Sequence, residues 1–195
     1  MRVFIPVVMI AFLASVAPAQ IRAQGVPLSD RPMLSVSGKS VSPDDIKGTK
    51  GTVVLFWCNT CPWVERYESR TLEIITRFQK QGFGFIAVNS NDAIAYPADG
   101  LDEMKKQASD GKYSFEYVRD SGSIFANAIG AKRAPQVFVY NSAGVLSYQG
   151  AIDDNPTDAA GATEHYLEDA LTNIASGSAV APAETKAFGC TIKFQ

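Results

Sequence analysis

The chain has 195 residues, 46% of them hydrophobic and 19% charged, and a formal net charge of −2. That is enough apolar material for one domain with a sizeable core. Without a basic block it excludes a protein drawn to nucleic acid by a positive patch. The only histidine is His165, which argues against His-dependent hydrolases and His-rich metal sites; no metal and no cofactor are expected. Cysteines stand at 58, 61 and 190. Three is an odd number, so either one thiol is free or disulfides exchange among the three.

The chain opens with Arg2 and an apolar run from Val3 to Ala14. Ala17-Pro18-Ala19 follows as a small-residue cleavage signal, with Ala23 as a second one. Residues 1–23 therefore read as a secretory signal peptide. The run is short for a membrane span and contains Pro6; an uncleaved anchor is the alternative. No cysteine lies near the cleavage site, so no lipid anchor is expected. Export places the protein in the periplasm or outside the cell, where disulfides persist. Residues 24–177 are expected as the folded domain and 178–195 as a tail carrying Cys190.

Within the domain, residues 24–33 read as a lead and 34–36 as a short strand. Ser42-Pro43-Asp44-Asp45 has the cap, proline and acid of a short helical turn. Thr52 to Trp57 is apolar on both faces, as a central strand should be. From Pro62 to about Lys80 a helix is predicted, with Val64, Tyr67, Thr71, Ile74, Ile75 and Phe78 on one stripe. Gly82 stops it. Phe83 to Val88 is a second apolar strand, ending in the polar turn Asn89-Ser90-Asn91-Asp92. A helix over 101–109, a strand over 115–118 and a helix over 123–129 come next. Gln136 to Tyr140 and Val145 to Tyr148 form a hairpin around Asn141-Ser142-Ala143-Gly144. Thr163 is expected to cap a last helix that buries Tyr166, Leu167, Ala170, Leu171 and Ile174. Residues 178–187 read as a linker rich in small residues. Early strands separated by helices imply parallel crossovers, and the hairpin adds antiparallel edges. The fold class is α/β, a sandwich with a central mixed sheet and helices on both faces.

The chemistry centres on Trp57-Cys58-Asn59-Thr60-Cys61-Pro62, set between a strand and a helix. A helix N-terminus presents free N–H groups and partial positive charge. A thiolate there is favoured, and its pKa falls from about 8.5 towards roughly 3.5–7.5. Cys58 is expected to attack and Cys61 to resolve. If Pro62 opens the helix, however, Cys61 stands nearest its end and is the more reactive thiol. An inert structural disulfide is the plain alternative. It would close only a tiny loop and stabilise little. Loops after parallel strands share one rim, so the cysteines and Asn89–Asp92 should meet there. Lys132 and Arg133 are near enough in sequence to Pro135 to act on a thiol or simply to lie in an exposed loop.

Taken together, Cys58, Cys61 and Pro135 make the chain resemble the thioredoxin superfamily over about residues 34–177. Cys58-Asn59-Thr60-Cys61-Pro62-Trp63-Val64, Asn89-Ser90-Asn91-Asp92 and Phe188-Gly189-Cys190 resemble its exported single-domain redoxins, related to the AhpC/TSA proteins. The resemblance implies a cis bond before Pro135 facing the cysteines, and a backbone at Ala134 that pairs with an incoming disulfide partner. Trp57 and Trp63 flank the pair as a candidate apolar lip, or as core. Cys190 is a candidate third redox thiol. There are departures. Asn59-Thr60 stands between the cysteines where thioredoxin has Gly-Pro, and that dipeptide affects redox poise. Thr52 occupies the place of thioredoxin's buried acid. The peroxiredoxin Pro and Thr have no match upstream of either cysteine: Leu55 and Gly51 in one register, Cys58 and Val54 in the other.

The expected activity is an exported thiol–disulfide oxidoreductase acting through a mixed disulfide. Its partners would be a protein or small-molecule disulfide and an upstream thiol reductant. The alternatives are a peroxiredoxin-like thiol peroxidase with an antioxidant role, and a thioredoxin-fold copper chaperone in which soft thiolates hold Cu(I). A redox-inactive binding module on the same fold is a further one.

Overall fold

The computed structural model describes residues 25–195; residues 1–24, and with them the expected signal peptide, lie outside the described residues. No helix among the described residues is long and apolar enough to cross a membrane. The elements run β1 (Met33–Ser35), β2 (Ser40–Val41), β3 (Gly51–Phe56), α1 (Pro62–Gln79), β4 (Phe83–Asn89), α2 (Leu101–Gln107) and β5 (Glu116–Arg119). They continue with α3 (Ile124–Ile129), β6 (Arg133–Ala134), β7 (Gln136–Asn141), β8 (Leu146–Gly150), α4 (Tyr166–Ser176) and β9 (Cys190–Thr191).

Seven strands form one mixed sheet in the order β2-β1-β5-β4-β3-β7-β8, and β6 and β9 form a separate ribbon. β3 pairs in parallel with β4, and β4 with β5. The hairpin β7–β8 is antiparallel and docks β7 on the other side of β3. β3 is thus central and buried along its length, as its two apolar faces require. Val53 and Leu55 point to a layer made by Val64, Tyr67, Ile75 and Phe78 of α1 and Leu167, Ala170 and Leu171 of α4. Val54 and Phe56 point to the opposite layer, with Phe125 and Ala126 of α3. This is the expected sandwich. The stripe of six residues read from the sequence is the buried face of α1.

Two expectations are corrected. The last helix starts at Tyr166 with His165 in the cap position, and Thr163 does not cap it. Thr163 instead donates its N–H and hydroxyl to the two carboxylate oxygens of Asp154, at 2.9 and 2.6 Å. Residues 178–187 are not a loose linker. Gln149 N–H donates to Ala183, Thr185 N–H donates back to Gln149, and the Thr185 and Tyr148 hydroxyls share a hydrogen bond. Gly150 permits this approach: its φ is +147°, and a Cβ there would collide with Thr185. The segment is therefore fastened to β8 and carries the chain back towards the rim where β3 and β4 end.

Candidate active site

β3 delivers the chain to the rim, and α1 begins at Pro62. Proline fits a first helical position because its missing N–H has no partner there in any case. Cys61 is consequently the residue capping the helix, in an extended conformation with φ −92° and ψ 118°. Cys58 sits one short loop earlier. The helix dipole is thus aimed at Cys61.

Cys61 is bonded to Cys190 of the tail, with Cα atoms 6.0 Å apart. Cys58 is the free thiol. Both CxxC residues are closed off from solvent, at 2% and 3% exposure. Cys61 Sγ lies 3.2 Å from the Ala134 carbonyl oxygen. The Ala134–Pro135 peptide is cis, so the residues expected opposite the cysteines stand there. Cys190 pairs in antiparallel register with Ala134, and Thr191 with Arg133.

One acid that the sequence reading did not single out belongs to this site. Asp99 is fully buried. Its Oδ1 accepts from the Asn59 backbone N–H at 2.7 Å and from Asn89 Nδ2 at 3.1 Å. Its Oδ2 accepts from the Thr60 hydroxyl at 2.7 Å and from Asn91 Nδ2 at 2.9 Å. Both residues between the cysteines are thereby tied to the polar turn after β4. The Tyr117 hydroxyl adds a bond to Asn59 Oδ1 at 3.0 Å. Pro97-Ala98-Asp99-Gly100 reads as an ordinary turn. Only the four converging donors distinguish its acid.

The expectation of a low thiol pKa fails for Cys58. Its pKa is pushed up to about 12, first by burial and then by the Asp99 charge. The backbone N–H groups of Cys61 and Thr60 and the Asn91 side chain favour the thiolate, but burial wins. Because the folded pKa lies above the unfolded one, the buried thiol contributes stability below about pH 9. That contribution is lost as pH rises towards 12. Alkaline unfolding of the resting protein should therefore be less steep over that interval in Cys58→Ala, measured by circular dichroism against pH. The buried tyrosines 67, 113, 117, 140 and 148 also have raised values, and add to the loss in both proteins.

The other candidates divide. Trp57 is not a lip: it is 2% exposed within the core, and its Nε1 donates to Tyr113 Oη at 3.4 Å. Trp63 does reach the rim, where Phe188 of the tail meets it edge-on at 4.6 Å between centroids. Asn89, Ser90 and Asn91 are buried at the site. Arg133 reaches the tail through Nη1 to the Gly189 carbonyl at 2.9 Å. His165 is exposed. Among the described residues no group of three or more His, Cys, Asp and Glu could hold a metal ion.

The model of the AhpC/TSA family matches residues 25–151, so α4 and the Cys190 tail lie beyond the match. Among curated proteins none matches. Among solved structures, an uncharacterized conserved protein from Geobacillus kaustophilus is 29% identical, with a TM-score of 0.82 over 90% of this chain and 92% of its own. A hypothetical protein from Sinorhizobium meliloti 1021 is 27% identical, with a TM-score of 0.80 over 89% and 95%. A secreted Mycobacterium tuberculosis disulfide oxidoreductase homologous to E. coli DsbE is 13% identical, with a TM-score of 0.54 over 72% and 93%. At that identity it shares the fold alone.

Proposed function

The chain belongs to the AhpC/TSA family, and from that premise we propose that it is an exported thiol–disulfide oxidoreductase using Cys58 and Cys61. The observation that carries this reading is the pairing at the helix end. Cys61, facing the Ala134 carbonyl, is already joined to a third thiol, while Cys58 stands free three residues before it. A bond shared by one sulfur within a short loop of a second thiol is poised for exchange. A thiolate attacks one sulfur of a disulfide, a mixed disulfide forms, and the neighbouring thiol displaces the released chain. The substrate is a protein or small-molecule disulfide, and an upstream thiol reductant restores the pair. The apolar leader of the sequence supports work outside the cytoplasm, where such substrates persist.

Cys58→Ser and Cys61→Ser should each abolish insulin reduction. In a glutathione redox buffer, alkylation and mass spectrometry should show two thiols changing together. Hydrogen peroxide consumption without any disulfide substrate would favour the peroxidase instead. Copper bound at one equivalent per chain would favour the carrier. In the resting structure Cys190, the residue that would supply such a carrier with a third thiolate, is bonded to Cys61.

A further inference from the structure

The C-terminal tail lies in the site as a bound peptide would. Its strand pairs backbone to backbone with Arg133 and Ala134. Ile192 N–H donates to the Lys132 carbonyl at 3.0 Å. Past it, Lys193 N–H donates to Asn91 Oδ1 at 2.8 Å, and its carbonyl accepts from Asp92 N–H at 2.6 Å. Gly189 passes so close beneath Ala134 that a Cβ would collide with the Ala134 carbonyl. Phe188 rests on Trp63, and Ile192 is 4% exposed, buried in the layer with Phe125 and Phe138. The sulfur of this strand is held by Cys61, the residue at the helix end, while Cys58, equally buried, is free.

On the oxidoreductase reading above, we propose that the tail is a built-in replica of the substrate strand. It marks a groove for extended cystine-bearing polypeptides, with Cys61 as the sulfur that captures them. The groove selects an aromatic residue two before the captured cysteine, a glycine immediately before it, and a branched apolar residue two after. β-Strand addition of this kind draws affinity from the main chain and specificity from the alternate side chains. In the captured state the Cys61 thiolate has attacked one substrate sulfur. A Cys61–substrate bond has formed and the other substrate sulfur has left as a thiolate that takes a proton from water. Cys58 gives its proton to water and, as thiolate, then attacks Cys61 Sγ. The Cys58–Cys61 bond forms and the first substrate chain leaves reduced. The same second step applied to the resting protein breaks Cys61–Cys190, forms Cys58–Cys61 and releases the tail as a Cys190 thiolate that takes a proton from water; the upstream thiol reductant must then reduce Cys58–Cys61 before Cys61 can capture a substrate. The resting form is thus self-occupied until exchange or a dithiol reductant releases it.

The test uses two full-length variants. Cys58→Ser/Cys190→Ser keeps Cys61 alone, and Cys61→Ser/Cys190→Ser keeps Cys58 alone. The probe is a peptide of residues 187–195, its cysteine activated as a 2-thiopyridyl disulfide, and thiopyridone release is followed by absorbance. With Cys61 alone, the replica should react faster than a scrambled peptide of the same composition. Phe188→Ala in the peptide should slow it by roughly threefold to tenfold, the worth of one aromatic pair. With Cys58 alone, the replica should show no advantage over the scrambled peptide. Equal rates for replica and scrambled peptide, or a faster reaction of the Cys58-only variant, overturns the groove. A second measurement separates the two readings. Cys61 reacting with free 2,2′-dithiodipyridine but ignoring peptide sequence ends the groove alone. Neither thiol of the folded protein reacting with that small disulfide ends the oxidoreductase reading itself.

Discussion

Replacing Cys190 by Ser, or reducing the resting protein, should lower its free energy of unfolding by up to about 5 kcal/mol. Cys61 and Cys190 are separated by 129 positions. A cross-link across so long a segment removes a large share of the unfolded chain's freedom, and the chain-entropy relation for a loop of this size reaches that value. In urea the midpoint should fall by roughly 2 M, given slopes of about 1–3 kcal/mol per molar. Cys58→Ala is the control. It removes no cross-link and should cost only about 1 kcal/mol of packing. An unchanged midpoint in Cys190→Ser would mean that the bond does not close in the resting protein.

The loss of stability and the opening of the site are one event in this fold. The tail covers Trp63, Ala134 and the polar turn after β4 together, and both CxxC residues are closed to solvent beneath it. A reduced protein is therefore expected to be less stable and more reactive than an oxidised one. In an oxidising compartment the closed form is the one that persists.

The architecture was legible because periodicity reports burial. The stripe on α1 from Val64 to Phe78 and the two-faced apolar β3 each admit one placement. Rim membership of the cysteines and Asn89–Asn91 followed from loop position after parallel strands. What was not legible depends on contacts between distant segments. Any two of three cysteines can pair, and nothing local joins Cys61 to a residue 129 positions away. The helix-end argument for a low pKa ignored burial, which outweighs the favourable hydrogen bonds at Cys58. Thr163 looked like a cap because Asp154, its actual partner, lies nine positions back in a loop of its own. Thr52 signalled that β3 carries no buried acid, but a carboxylate in a Pro-Gly turn gives no sign that the fold will bury it beside the thiol.

That carboxylate carries the remaining large effect. Asp99→Ala should cost about 3 kcal/mol or more of stability. The Asn59 N–H and the Asn91 amide lose the acceptor the fold gives them, each orphaned donor costing about 1–3 kcal/mol. Asn89 keeps the Tyr117 hydroxyl and the Asp99 backbone carbonyl, so it suffers less. Asp99→Asn removes the charge and keeps one oxygen to accept from the Asn59 N–H, so it tests the field with part of the clamp in place. A negative charge beside Cys58 opposes a second one on its sulfur. Neutralising it also releases the Asn91 amide, which favours the thiolate. Both changes act in the same direction, so the pH profile of Cys58 alkylation should move to lower pH in Asp99→Asn. The buried Tyr117 hydroxyl and the Arg119 guanidinium, which donates to the Asn89 carbonyl at 2.9 Å, face the same cluster and are unchanged in this variant. In the resting protein Cys58 is the free thiol, so the label reads this group directly. A profile that stays in place while stability falls would make Asp99 a clamp alone, with burial as the whole cause of the raised thiol.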